Sequence, residues 1–294
     1  MAIKISVADA NNDGKGINFA AYLKDYEETY ADATGRGDFS GKTSGDITSE
    51  DDPLGAKSYV TTDSEEDGGR SVIFNSSSKF IYDFFGGHVI SGKLQSMVFG
   101  DDTVKTSIGG GDNSYTNSGD ITIAGFPKNY ETTSDKGEIM GDILNAKTNG
   151  IDSLYDFLQS DSIVFKGSTG KDVFAGYTHD DTLNGGAGSD KLDGGAGADR
   201  IDGDTGSDHL TGGLGADTFY FAKNDGTDKI TDFAAGKAGK DIIEFGKGLF
   251  DSFADVLDHA KDVSAGVQIS YDGGKLTLLD VEIADLHKGD FHLL

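Results

Sequence analysis

Read nine residues at a time from Gly167, the chain falls into a strict register: GSTGKDVFA, GYTHDDTLN, GGAGSDKLD, GGAGADRID, GDTGSDHLT and GGLGADTFY follow one another without an insertion. The sixth place is always aspartate (Asp172, Asp181, Asp190, Asp199, Asp208, Asp217) and the eighth is always large and apolar (Phe174, Leu183, Leu192, Ile201, Leu210, Phe219). This is the nonapeptide pattern of stacked coils, in which each unit buries its apolar residue only against its neighbours. Glycine permits the left-handed backbone of a tight turn. Aspartate offers a hard anionic oxygen suited to Ca²⁺, and the apolar residue rides a short strand facing the interior. Two nonapeptides make one coil, so loops on one edge stack eighteen residues apart and pair Asp172 with Asp190, Asp181 with Asp199, Asp190 with Asp208 and Asp199 with Asp217. The expectation is an all-β parallel β-roll with about four calcium sites. His179 and Asp204 stand where the pattern has glycine, which puts those two loops in question. The period also claims residues 167–171, which otherwise look like a phosphate loop of the wrong spacing.

Charge agrees with this chemistry. Acidic residues outnumber basic ones 51 to 25, for a formal charge of −26, and such a chain repels itself unless cations sit among its carboxylates. No basic cluster is present to hold nucleic acid. The absence of cysteine removes disulfides and thiolate metal sites, and no run is long and apolar enough to insert in a membrane. The first residues lack the basic and apolar regions of a Sec signal.

Glycine and aspartate thicken from about residue 167, dividing the chain into domains at 1–165 and 167–294, with the repeats at 167–220. Phe19, Tyr22, Leu23, Tyr26 and Tyr30 fall at helical spacing, with Asn18 as N-cap. A polar stretch at 40–69 precedes strand-like runs at 71–74, 79–85 and 88–99, and short helices are expected around 139–144 and 151–158. The first domain therefore reads as α+β, an antiparallel sheet covered by helices. Residues 9–14 match half of an EF-hand loop, but the twelfth position is Ala20, and a solvated turn is expected. After the repeats, strands are expected at 218–221, 229–233 and 241–245, a helix around 250–257, and a hairpin of 267–271 with 275–281.

The repeats and this flanking cap resemble the RTX (repeats-in-toxin) family. The ending Asp290-Phe291-His292-Leu293-Leu294 is similar to the uncleaved export signal of its members. That resemblance implies export through a type I secretion machinery, calcium-dependent folding, and a secreted, extracellular protein of a Gram-negative bacterium, free or held at the cell surface. In the first domain, residues 17–23, 80–88 and 92–101 resemble the HasA-type haemophores. That family implies one haem b, with Tyr82 as iron ligand and His88 as the histidine supporting the phenolate. Phe84, Phe85, Met140 and Ile143 are the expected apolar contacts of the porphyrin, and an outer-membrane haem receptor is the implied partner. The chain departs from that family in the opposite loop, residues 32–38, which holds no histidine to act as a second axial ligand.

The expected function is haem capture for iron acquisition, the alternative being a calcium-dependent adhesive or structural protein that has lost haem. No catalytic role is expected. No H-E-x-x-H or G-x-S-x-G motif occurs, His88 is the only histidine before residue 167, and Glu65-Glu66 lies in a charged loop.

Overall fold

The computed structural model describes residues 2–9, 14–29, 38–39, 58–62, 71–76, 81–83, 89–100, 104–109, 112–116, 119–126, 130–133, 139, 150–236 and 241–294. The chain divides into two compact units, Met1–Asn11 with Ala21–Ser160, and Asn12–Ala20 with Asp161–Leu294. The second unit thus takes a short piece of chain from far upstream, which periodicity did not separate from its surroundings.

In the first unit the strands Ser58–Thr62, Ser71–Ser76, Val89–Gly100, Ile121–Ala124 and Ile3–Val7 lie side by side, every neighbour antiparallel. Alternation explains which face is buried. Ile3, Ile5 and Val7 are covered while Lys4 and Ser6 are exposed, and Val72, Phe74, Met97, Phe99, Ile121 and Ile123 are buried from the adjoining strands. The helix Phe19–Thr29 buries Leu23 and Tyr26, the latter edge-on to Phe99 at 5.4 Å. The helix Asp152–Leu158 brings Phe157 into a stack on Phe126 at 4.3 Å. Of the helix expected near 139–144 only Ile139 is described, and it is buried. The polar stretch at 40–69 holds a strand after all, Ser58–Thr62: its Tyr59 and Val60 pair with Phe74 and Ile73, so cross-strand partners override local composition.

The second unit is built of two parallel sheets. In one, Phe165, Leu183, Ile201 and Phe219 occupy successive rungs; in the other, Phe174, Leu192 and Leu210 do. Each is at most 2% exposed. The register is the expected step of two nonapeptides, because only that step places every eighth-position residue over its equivalent. The stack does not stop at residue 220. Ile230 lies beside Leu210 and Ile243 beside Phe219, followed by Leu278 and Phe291, so the coils continue through the flanking strands. The strand expected at 229–233 accordingly runs Gly226–Ile230, since Ile230 must fall under Leu210. The hairpin forms as Gly266–Tyr271 with Gly274–Leu279, and a helix at Phe253–Asp258 is capped by the Ser252 side chain, which accepts from the Asp255 N–H. Ile201→Val removes one methylene from this stack and is expected to cost about 1 kcal/mol in a urea melt in calcium.

The near end of the roll is closed by the upstream piece. The Val173 N–H donates to the Ile17 carbonyl (2.9 Å), Asn18 bridges Val173 in parallel, and Phe19 meets Phe174 edge-on at 5.4 Å. Asn18 therefore serves the roll's ladder while preceding the helix. Of the half EF-hand motif, residues 10–13 lie outside the described residues, and the Gly14 carbonyl accepts the Lys171 N–H (3.4 Å).

Candidate metal centre

The six repeat aspartates are each at most 2% exposed, and they form two columns, one along each edge of the roll. On the first, the Asp172 N–H donates to Asp190 Oδ1 (2.8 Å) and the Asp190 N–H to Asp208 Oδ1 (2.8 Å). On the second, the Asp181 N–H donates to Asp199 Oδ1 (2.7 Å) and the Asp199 N–H to Asp217 Oδ1 (2.9 Å). The structure thus brings together the four pairs expected from the spacing. Upstream backbone donors begin each column, Ile17 N–H to Asp172 Oδ1 (2.6 Å) and Ile163 N–H to Asp181 Oδ1 (2.7 Å).

The other oxygen of each carboxylate separates two classes. Asp172 Oδ2 accepts from the Ser168 N–H (2.6 Å) and hydroxyl (2.8 Å), and Asp181 Oδ2 from the Tyr177 N–H (3.3 Å). Oδ2 of Asp190, Asp199, Asp208 and Asp217 is buried without a hydrogen-bond partner among the described residues. A buried, unpaired carboxylate oxygen is costly unless a cation meets it. Loop conformation follows the same division. In the fourth repeat Gly195 and Gly197 take φ of 96° and 136°, a left-handed pair that turns the backbone around the Asp199 carboxylate. In the fifth, Asp204 holds φ 60°, a region aspartate tolerates, and its N–H donates to Asp202 Oδ1 (2.9 Å), so that loop is preserved. The second repeat differs, since neither Tyr177 nor His179 has positive φ.

Space supports a cation as well. A Cβ built on Gly194 would lie 2.4 Å from Asp199 Oδ2 and 2.6 Å from the Gly212 carbonyl oxygen, so only glycine leaves these oxygens a common opening. Among the described residues no three His, Cys, Asp or Glu side chains are arranged to hold a metal, so an ion bound here would take backbone carbonyls to complete its shell. An all-oxygen set of carboxylates and carbonyls fits Ca²⁺ and does not fit zinc. Burial, with the charge of neighbouring carboxylates added, pushes Asp190, Asp199 and Asp208 up to about 7.

The columns extend past the repeats to residues that the strict period missed. The Asp208 N–H donates to Asp228 Oδ1 and the Asp217 N–H to Asp241 Oδ1, both at 3.0 Å, across separations of 20 and 24 residues. The signal was present as Gly226-Thr227-Asp228-Lys229-Ile230 and Asp241-Ile242-Ile243, fragments of the pattern displaced by insertions. Of the residues expected to serve haem, Tyr82 is placed by its backbone on the strand Ile81–Asp83, opposite Ile90. Phe84, Phe85, His88, Met140 and Ile143 lie outside the described residues.

No curated protein matches the chain in sequence. Among solved structures, it is similar to the extracellular lipase LipA from Serratia marcescens at 18% identity and TM-score 0.38, over 81% of this chain and 31% of the lipase. It thus spans under a third of that lipase's length. It is also similar to the hemophore HasA from Yersinia pestis, in apo and holo forms, at 16% identity and TM-score 0.37, over 54% of this chain and 89% of the hemophore. The family model described as RTX calcium-binding nonapeptide repeat (4 copies) matches residues 164–192 and 193–228. Residues 164–228 are an array of RTX calcium-binding repeats.

Proposed function

We propose that the chain is a secreted, type I exported, non-enzymatic protein whose C-terminal unit is locked into its fold by calcium held at Asp172, Asp181, Asp190, Asp199, Asp208 and Asp217. The observation that carries this is the buried, unpaired Oδ2 of Asp190, Asp199, Asp208 and Asp217, in columns headed by Asp172 and Asp181, whose own Oδ2 atoms accept hydrogen bonds. Each is an acceptor that the protein's own donors leave unmatched, and Oδ2 of Asp190 and of Asp199 borders the same opening as a carbonyl, of Gly203 and Gly212, that could share an ion. The scarcity of calcium in cytosol and its abundance outside would make export and folding successive events. Circular dichroism of the chain in chelator and in calcium tests it. Among the described residues no helix is long and apolar enough to cross a membrane.

The cargo is the finer part of the proposal. The N-terminal unit is read as a carrier of one haem b, with Tyr82 as iron ligand and His88 taking or sharing its phenolic proton. An outer-membrane receptor would be the recipient. What supports this is the run at 80–88, similar to the haemophore segment, with Tyr82 on a strand of the antiparallel sheet. A phenol with its ordinary high pKa ligates poorly at neutral pH unless its proton has an acceptor, hence the role given to His88. Haemin titration is expected to give a Soret change with a one-to-one end point. Tyr82→Phe should abolish it and His88→Ala weaken it roughly tenfold or more. No Soret change in the wild type would assign the chain to the adhesive class instead.

A further inference from the structure

In a chain where acidic residues outnumber basic ones 51 to 25, one face of the roll is cationic. The sheet concerned runs through the strands Val173–Ala175, Lys191–Ala196, His209–Leu214, Gly226–Ile230, Gly274–Leu279, Gly266–Tyr271 and Ala260–Val263. Leu192, Leu210, Ile230 and Leu278 face its interior, so the residues alternating with them face out. Register aligns Lys191, His209 and Lys229 on consecutive rungs and carries the same row through Thr277 and Gln268 to Lys261. Lys275 joins the face from the neighbouring row, paired with Thr227. All four lysines and His209 are exposed.

The protein leaves these cations without anions of its own. None of the four lysines forms an ion pair among the described residues. Asp193 is the one carboxylate among the outward residues of these strands, and its Oδ1 accepts the Gly195 N–H (3.1 Å). Asp262 is opposite the buried Val267, on the other side of its strand, and its Oδ1 accepts the Ile283 N–H (3.1 Å). The other sheet is built differently. There Glu244 takes both Arg200 (2.8 Å) and His292 (3.0 Å) on its two oxygens. Cations gathered on one surface repel, and here no neighbouring carboxylate offsets it.

We infer that this face binds a linear acidic polysaccharide, a chain of uronate sugars lying across the strands. Adjacent strands are about 4.8 Å apart, comparable to one pyranose unit of an extended chain, so the five strand steps from Lys191 to Lys261 cover about 24 Å, or about six sugars. Lysine ammonium groups receive the carboxylates as point charges. Between them the Gln268 amide and the Thr227 and Ser270 hydroxyls provide hydrogen bonds for ring hydroxyls. Other polyanions find less here. The row has no Phe, Tyr or Trp on which a nucleic-acid base could stack, and no large apolar side chain to enter a lipid bilayer. The acidic remainder of the chain repels a polyanion and confines it to this face.

The test is calorimetric titration of the full chain, in calcium, with hexagalacturonate at low and at high sodium chloride. The wild type is expected to bind at low salt and to lose binding at high salt. Lys191→Glu with Lys229→Glu is expected to weaken binding roughly tenfold or more, whereas Lys166→Glu, exposed on the other sheet, leaves it unchanged. The methyl-esterified hexamer, which carries no charge, is expected not to bind. Circular dichroism in calcium checks that each variant is folded; if the double variant is not, Lys261→Glu with Lys275→Glu decides on the same terms. The proposal is overturned by a wild type that ignores hexagalacturonate at low salt, by equal binding of the esterified hexamer, or by wild-type affinity in a folded charge-reversal variant. Phosphatidylglycerol vesicles that capture the chain when hexagalacturonate does not would overturn it in favour of a membrane surface.

Discussion

Chelation of calcium at neutral pH is expected to unfold the C-terminal unit completely, with loss of its β-sheet circular dichroism, and readdition of calcium to restore it. Each inner coil contributes only one large apolar residue per strand to the interior, Leu183 and Ile201 on one sheet and Leu192 and Leu210 on the other, while burying one carboxylate per loop. Without an ion the loops carry the penalty of those carboxylates with little apolar burial to set against it. Binding energy then acts as folding energy.

The pH dependence has a definite sign. In the ion-free fold, burial first and neighbouring carboxylates next push Asp190, Asp199, Asp208 and Asp228 up to about 7. In the unfolded chain such groups titrate near 3.9 or so. Between those values the folded state binds protons that the unfolded state has lost, so ion-free stability is greatest below the unfolded value and falls as pH rises through about 7. Acidification to about pH 5 in chelator is therefore expected to recover part of the β signal, whereas calcium affinity should fall over the same range because the ion competes with those protons. A spectrum indifferent to chelator at both neutral and acid pH would sink the calcium reading.

The repeat core was legible because nine is a strict period and two independent positions, the aspartate and the apolar residue, keep phase with it. From Gly167 to Tyr220 the sequence is nearly a diagram of the ladder, including the four carboxylate pairs. Legibility ended where spacing changed. Asp228 and Asp241 carry out the same structural task as Asp208 and Asp217, but separations of 20 and 24 residues hide them from a fixed window. Ile230 and Ile243 fell out of view for the same reason, although their neighbours Asp228 and Asp241 mark them. The strand at Ser58–Thr62 was hidden by the acidic, glycine-rich residues around it, since its stability comes from pairing with Ser71–Ser76. The role of Asp172 and Asp181 as carboxylates with satisfied second oxygens depends on the Ser168 and Tyr177 donors, a matter of loop geometry that composition does not express.

Phe19→Ala is expected to destabilise the calcium-loaded C-terminal unit by about 3–4 kcal/mol, and Ile17→Pro by about 2 kcal/mol. Phe19 is 3% exposed and sits edge-on to Phe174, which itself stacks on Phe165 at 4.1 Å, so truncation opens a cavity at the end of the apolar stack. Ile17 provides the N–H that Asp172 Oδ1 accepts at 2.6 Å, the service that an aspartate N–H performs in every later coil. Proline deletes that donor and leaves a fully buried carboxylate short of one bond. The two residues act on different atoms of the same rung, so the double variant is expected to lose more than either single one. Urea unfolding in saturating calcium, followed by the β-sheet signal, measures the effect. Curves that superpose on the wild type would show that the upstream segment is a passenger and that the first coil holds itself closed. The contrary result makes the upstream segment part of the roll's equilibrium stability, a closure that joins residues 155 apart and is useful only where the Asp172 coil exists to receive it.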